Sequence, residues 1–130
     1  MTIRVLMVED NAADAAFIRL MAKESQDPEI SLEHVARLSS AIATLQRDKP
    51  DVVLLDLRLP DAVGMACLEG VLKAAPGVPV VILTGEDDEE MATQMIQRGA
   101  KGYLMKRKCD SERLLQALRD ATKPGFGSVK

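Results

Sequence analysis

The stretch Asp51-Val52-Val53-Leu54-Leu55-Asp56-Leu57-Arg58-Leu59-Pro60-Asp61-Ala62-Val63-Gly64 limits what this chain can fold into more than any other. Val52 to Leu55 is an apolar run of four, half of it β-branched and too short for a helix. It reads as a strand buried on both faces. Asp56 follows at once, and Pro60 and Gly64 then break the chain. A carboxylate therefore sits where a buried strand becomes a loop. In open α/β sheets that carboxyl edge is where ligands bind.

The rest of the chain repeats this grammar. Ile3–Val8 is an apolar run ending in Glu9-Asp10-Asn11, and Ala12 to Glu24 reads as an amphipathic helix with Phe17, Leu20 and Met21 on one side. Ile30 to Ala36 is a weaker strand with polar members, which suits a sheet edge. Ser39 or Ser40 is placed to cap a helix carrying Ile42 and Leu45. Met65 to Ala75 is the next helix. Val78 to Leu83 is another doubly buried run, ending in Thr84-Gly85. Acids from Glu86 to Glu90 suit the positive end of a helix running to Gln97. Gly102 to Met105 is a last short strand ending in Lys106, and Ser111 is placed to cap a final helix with Leu114, Leu115 and Leu118.

Five strands alternating with five helices imply parallel pairing. With the weak second strand at an edge, the expected fold is a single α/β domain: a doubly wound, five-stranded parallel sheet of order 2-1-3-4-5, flavodoxin-like. It spans residues 1–122, with 123–130 a tail or the start of a linker. At 130 residues and 47% hydrophobic, the chain can build one packed core, and with 2% aromatics that core is aliphatic. A net charge of -3 and the shortage of aromatics argue against direct nucleic-acid binding. No stretch approaches the roughly 20 apolar residues of a membrane span. Cys67 and Cys109 have no metal-ligand spacing, which fits a reduced, cytoplasmic setting.

In the expected order, the ends of strands one, three, four and five deliver Glu9 and Asp10, Asp56, Thr84, and Lys106 to one crevice. Carboxylates packed that closely repel; a pair about 4 Å apart costs about 4 kcal/mol at an effective dielectric near 20. A divalent cation relieves this, and hard oxygen ligands favour Mg2+. Asp56 is then suited to attack a phosphoryl group and form an aspartyl phosphate, with Lys106 neutralising phosphoryl oxygens and Thr84 donating to one of them.

Val8-Glu9-Asp10-Asn11, the segment Leu55 to Gly64, Leu83-Thr84-Gly85 and the segment Gly99 to Lys106 together carry a resemblance. From Ile3 to Thr122 the chain resembles the CheY-like response-regulator receiver domain of two-component signal transduction. Each segment alone is weak; four in order at strand ends are specific. The resemblance implies that Asp56 accepts phosphate from the phosphohistidine of a histidine kinase or phosphotransfer protein. It implies that Glu9, Asp10, Asp56 and the backbone carbonyl of Arg58 bind Mg2+, that Thr84 and Tyr103 form a switch pair, and that Lys106 contacts the phosphoryl group. An output domain or downstream protein would meet the face made by the fourth helix, last strand and fifth helix. Such a domain is a self-phosphorylating switch rather than a metabolic enzyme. Homodimerisation is left open. Two positions depart from the pattern: Glu9 replaces the commoner Asp, and Arg107 stands where Pro usually follows the lysine.

Other readings are open. A haloacid-dehalogenase-type phosphohydrolase also uses a strand-end Asp, but it wants a second acid where this chain has Arg58. A flavodoxin-like flavin binder wants a phosphate-cradling loop after the first strand, where Glu9-Asp10-Asn11 would repel phosphate. A degenerate receiver acting only as a binding module would not need the acidic set. Taken singly, the remaining residues read blandly. Asp10 or Asn11 is a helix N-cap, His34 an exposed edge-strand residue, Cys67 a buried helix residue, Cys109 a loop thiol, and Met91 and Met95 core packing.

Overall fold

A computed structural model describes residues 2–26, 28–85 and 89–123. In chain order the elements are β1 (Thr2–Val8), α1 (Ala12–Lys23), β2 (Glu29–Val35), α2 (Leu38–Arg47), β3 (Val52–Asp56), β4 (Arg58–Leu59), β5 (Ala62–Val63), α3 (Met65–Ala74), β6 (Val80–Thr84), α4 (Glu89–Gln97), β7 (Gly102–Met105) and α5 (Ser111–Thr122). The main sheet runs β2-β1-β3-β6-β7 with every pairing parallel. This is the expected 2-1-3-4-5 order. The additional β4 and β5 form a two-residue antiparallel hairpin directly after Asp56. The expected helix opening at Glu86 to Asp88 and the tail from Pro124 lie outside the described residues.

Alternation along each strand divides the core in two. Val53 and Leu55, with Leu6, Val8 and Ile82, pack with Leu45, Leu68, Val71 and Met95 of α2, α3 and α4. Val52 and Leu54, with Val5, Met7 and Leu83, pack with Ile18, Met21, Leu114 and Leu118 of α1 and α5. The central strand is buried throughout, Asp56 included. That arrangement holds the acid end of β3 rigidly.

Several local expectations are corrected. α1 does not turn Phe17 and Leu20 inward; they are 52% and 62% exposed. Its buried positions are Ala15, Ile18, Met21 and Ala22. The two alanines let the helix lie close to the sheet, and the larger apolar side chains at the other positions rotate outward. Met95 is buried as expected, whereas Met91 is 39% exposed. β6 starts at Val80 rather than Val78, because Pro79 has no N–H for the ladder; its carbonyl still accepts from Val53 N at 2.9 Å.

Both expected serine caps are replaced by aspartates. Asp110 caps α5, its carboxylate accepting from Arg113 N at 2.8 Å, while the Ser111 hydroxyl donates to Glu24 instead. For α2 the cap comes from a distant loop: Asp61, in the β4–β5 turn, accepts from Leu38 N at 2.8 Å and Ser39 N at 2.9 Å. These satisfy two of the helix's unpaired N–H groups and place an anion at its positive end. The backbone bonds from Ser39 and Leu38 hold the Asp61 carboxyl below its ordinary value. A group with a depressed folded pKa stabilises the fold above its unfolded pKa and loses that contribution as pH falls through the folded value. Asp61→Ala is therefore expected to lower the thermal midpoint at neutral pH. The two proteins should converge as the pH falls through the folded value; melting curves at neutral and acid pH check it, and an unchanged gap in acid would reject the cap.

Candidate functional site

The site is built where three strands stop. β1 hands over to Glu9, whose N–H makes a last sheet-like bond to Val35 O at 3.0 Å. Asn11 then starts α1 as its N-cap, with its side-chain oxygen accepting from Asp14 N at 2.9 Å. That turn folds the chain back, so Asn11 N donates to Glu9 Oε2 at 2.9 Å. Glu9 is thereby fully buried.

β3 delivers Asp56, which is 8% exposed. Its Oδ1 accepts a long 3.4 Å bond from Arg58 N, and Gly64 N closes the same loop onto Leu57 O at 2.7 Å. Gly64 sits at φ +68, a backbone state that favours glycine. β7 delivers Lys106, which opens a short 3-10 turn through Lys108.

These three residues meet. Lys106 Nζ lies 2.7 Å from Glu9 Oε1, 3.1 Å from Asp14 Oδ2 and 3.5 Å from Asp56 Oδ2. One ammonium thus faces three carboxylates, and the imbalance shows in the titration of the site. Burial pushes the Glu9 carboxyl up to about 7, against the pull of Lys106 and Asn11, and the charge of Asp56 adds to the rise. Burial pulls Lys106 down, but the bond to Glu9 and the charges of Asp56 and Glu9 outweigh it and hold the ammonium above its ordinary value. Glu9 Oε1 is buried and accepts no hydrogen bond of good geometry; its contact with Lys106 is a close ion pair.

Thr84 ends β6 beside this cluster in the sheet order and is 1% exposed. Its hydroxyl donates to Leu104 O at 3.3 Å, a cross-strand tie from β6 to β7. Tyr103, one residue before Leu104, is half-buried against the core on the α2, α3 and α4 side. Asp10 and Arg58 are exposed.

Among the described residues no three His, Cys, Asp or Glu side chains stand grouped as a metal cage. Mg2+ does not need one: it keeps several waters and takes one or two carboxylates. Glu9 and Asp56 supply two, and the single ammonium near them is shared with a third acid, Asp14, so positive charge is outnumbered at these oxygens. The residues fit the ion.

Three contributors had no sequence reading as site residues. Asp14 is a first-turn acid of α1 that shares Lys106. His34 is half-buried, and its Nε2 lies 2.8 Å from Glu9 O, which corrects the expectation of an exposed strand residue. Asp61 ties the loop after Asp56 to α2. The cysteines stay outside: Cys67 is buried with its thiol on Ala62 O, and burial pushes both thiols up to about 11. A cavity of about 790 Å³ among Thr2, Pro79, Lys101 and Thr122 opens at the other end of the strands. No described helix is long and apolar enough to cross a membrane.

Comparisons with known proteins agree with this fold. The family model described as "Response regulator receiver domain" matches residues 5–119. The regulatory protein LuxO of Vibrio cholerae serotype O1 is 36% identical over 115 residues, covering 88% of this chain and 24% of LuxO. An uncharacterised transcriptional regulatory protein of Bacillus subtilis, YxjL, is 32% identical over 121 residues, 93% of this chain and 55% of that one. The chain therefore spans about a quarter of the LuxO regulators it matches. Among solved structures, the signal receiver domain of a LuxO-type repressor from Vibrio parahaemolyticus superposes with a TM-score of 0.76 at 27% identity, covering 100% of both chains. The receiver domain of a sensor histidine kinase from Pseudomonas aeruginosa, solved with magnesium in its active-site cleft, gives 0.77 at 24% identity over 94% of this chain and 98% of that one. With a family match over most of its length, and acids and a lysine meeting at the ends of its parallel strands, the chain belongs to the response regulator receiver domain family.

Proposed function

We propose that this receiver is a phosphoacceptor switch, taking a phosphoryl group from the phosphohistidine of a histidine kinase or phosphotransfer protein onto Asp56. The observation that carries this reading is the buried Asp56 carboxylate at the end of β3, held against Lys106 beside the buried Glu9. An Asp56 oxygen forms the new P–O bond as the P–N bond of phosphohistidine breaks. Lys106 faces the charge that builds on the phosphoryl oxygens. Glu9, Asp10, Asp56 and the Arg58 carbonyl are the proposed Mg2+ ligands, and the bound ion would supply charge neutralisation for the incoming phosphoryl group.

The switch follows from the same bonds. Thr84 can donate to a phosphoryl oxygen only by giving up Leu104 O. That releases a β6–β7 tie next to Tyr103, on the strand between α4 and α5. The α4–β7–α5 face is the proposed contact for an output domain or downstream protein, in a cytoplasmic setting. The chain acts as a switch rather than a metabolic enzyme. Against a haloacid-dehalogenase-type hydrolase stands Arg58, an exposed cation where that chemistry wants an acid.

The test is intact mass after incubation with Mg2+ and acetyl phosphate. One phosphoryl adduct is expected on the wild type and none on Asp56→Asn. An adduct that persists in the variant rejects Asp56 as acceptor.

A further inference from the structure

We infer that His34, the only histidine in the chain, is a positioning residue that sets the Glu9–Asp10 peptide for metal binding; the inference rests on the reading of these acids as Mg2+ ligands. The β1 ladder stops short of that peptide. Its last register pairs are Val8 with Val35 on one side and Val8 with Leu55 on the other. Glu9 N still reaches Val35 O, but the Glu9 carbonyl has passed the end of both neighbouring strands.

His34 supplies the missing partner. It is in register with Met7, two residues before Glu9, and its ring reaches along the sheet edge to place Nε2 2.8 Å from Glu9 O. A carbonyl oxygen only accepts, so Nε2 carries the hydrogen and donates. The peptide unit is planar, so fixing the direction of this carbonyl also fixes the Asp10 N–H and the Cα from which the Asp10 side chain leaves. Asn11 N holds the Glu9 carboxylate from the next peptide. Between them, His34 and Asn11 fix the Glu9 carboxylate and the backbone that carries Asp10 before any ion arrives. A partner outside the ligand shell commonly matters in this way, because it removes the cost of ordering ligands on binding.

The experiment compares wild type, His34→Leu and His34→Gln. Leucine keeps bulk and donates nothing; glutamine keeps an N–H donor at similar reach. Mg2+ affinity is measured by isothermal titration calorimetry, amide shifts of Asp10 and Asn11 by NMR without metal, and the thermal midpoint without metal alongside. His34→Leu is expected to weaken Mg2+ binding about tenfold and to move the two amide signals, and His34→Gln to restore most of both. Wild-type affinity in His34→Leu, or a His34→Gln as weak as His34→Leu, overturns the role of His34. A wild type that binds no Mg2+ overturns the metal reading itself, a separate outcome from the first two.

Discussion

Lys106→Met is expected to slow phosphoryl transfer onto Asp56 by about a hundredfold, the low end of what removing one oriented donor costs a charge-building transition state. The low end applies because Mg2+ shares the neutralisation with it. The same variant is expected to destabilise the metal-free protein at alkaline pH. Lys106 is the one cation that the described ion pairs bring to Glu9, Asp14 and Asp56. Removing one partner of a buried ion pair costs about 3–5 kcal/mol where the remaining charge is trapped. Here the loss is smaller, about 2 kcal/mol, because Glu9 is already poised to take up a proton and the Asp14 side chain is 41% exposed. Phosphorylation rate by intact mass, and thermal midpoint with and without Mg2+, separate the two effects. Added Mg2+ should recover stability more fully than rate, since an ion can neutralise acids but cannot replace an ammonium aimed at the phosphoryl oxygens. A Lys106→Met protein phosphorylated at the wild-type rate would remove the lysine from the chemistry.

The sheet was legible in the sequence because doubly buried strands leave few choices. Val52–Leu55 read as a strand from run length and β-branching, and the polar members of β2 announced an edge. Once the order was set, topology alone brought Glu9, Asp56 and Lys106 together. What escaped was decided by distant contacts. The inward face of α1 turned on two alanines, which periodicity weighs too lightly against Phe17 and Leu20. The α2 cap comes from Asp61, more than twenty residues away, and no local pattern signals a cap supplied in space rather than in sequence. His34 and Asp14 carry ordinary strand and helix identities. Their part in the site depends on a sheet edge and a helix turn meeting the same loop. Pairwise burial is written in hydrophobic pattern; polar partnership is written in three dimensions.

Glu9→Gln is expected to make the metal-free protein more stable at alkaline pH while removing most of its response to Mg2+. The sign follows from the raised carboxyl. In the fold Glu9 titrates near 7, against 4.5 for the free side chain. Below the lower value both states are protonated and the group is neutral in its effect. Between 4.5 and 7 the unfolded chain ionises while the fold resists, so stability falls as pH rises through that window. Above it the deficit is constant, at most about 3 kcal/mol. Glutamine carries no charge to bury and flattens this dependence. The expected gain is smaller, about 1–2 kcal/mol, because an amide has one oxygen for two neighbours, Asn11 N and the Lys106 ammonium; its NH2 must face one of them. Mg2+ should reverse the order. An ion that binds only the fold stabilises it by mass action, and the wild type offers it a carboxylate where the variant offers an amide. Urea unfolding at pH 5 and pH 8, each with and without Mg2+, reads all four arms. A wild-type-minus-variant difference that stays constant from pH 5 to pH 8 without metal would show that Glu9 is not the strained acid of the site. The case for an ion that relieves this acid would fall with it.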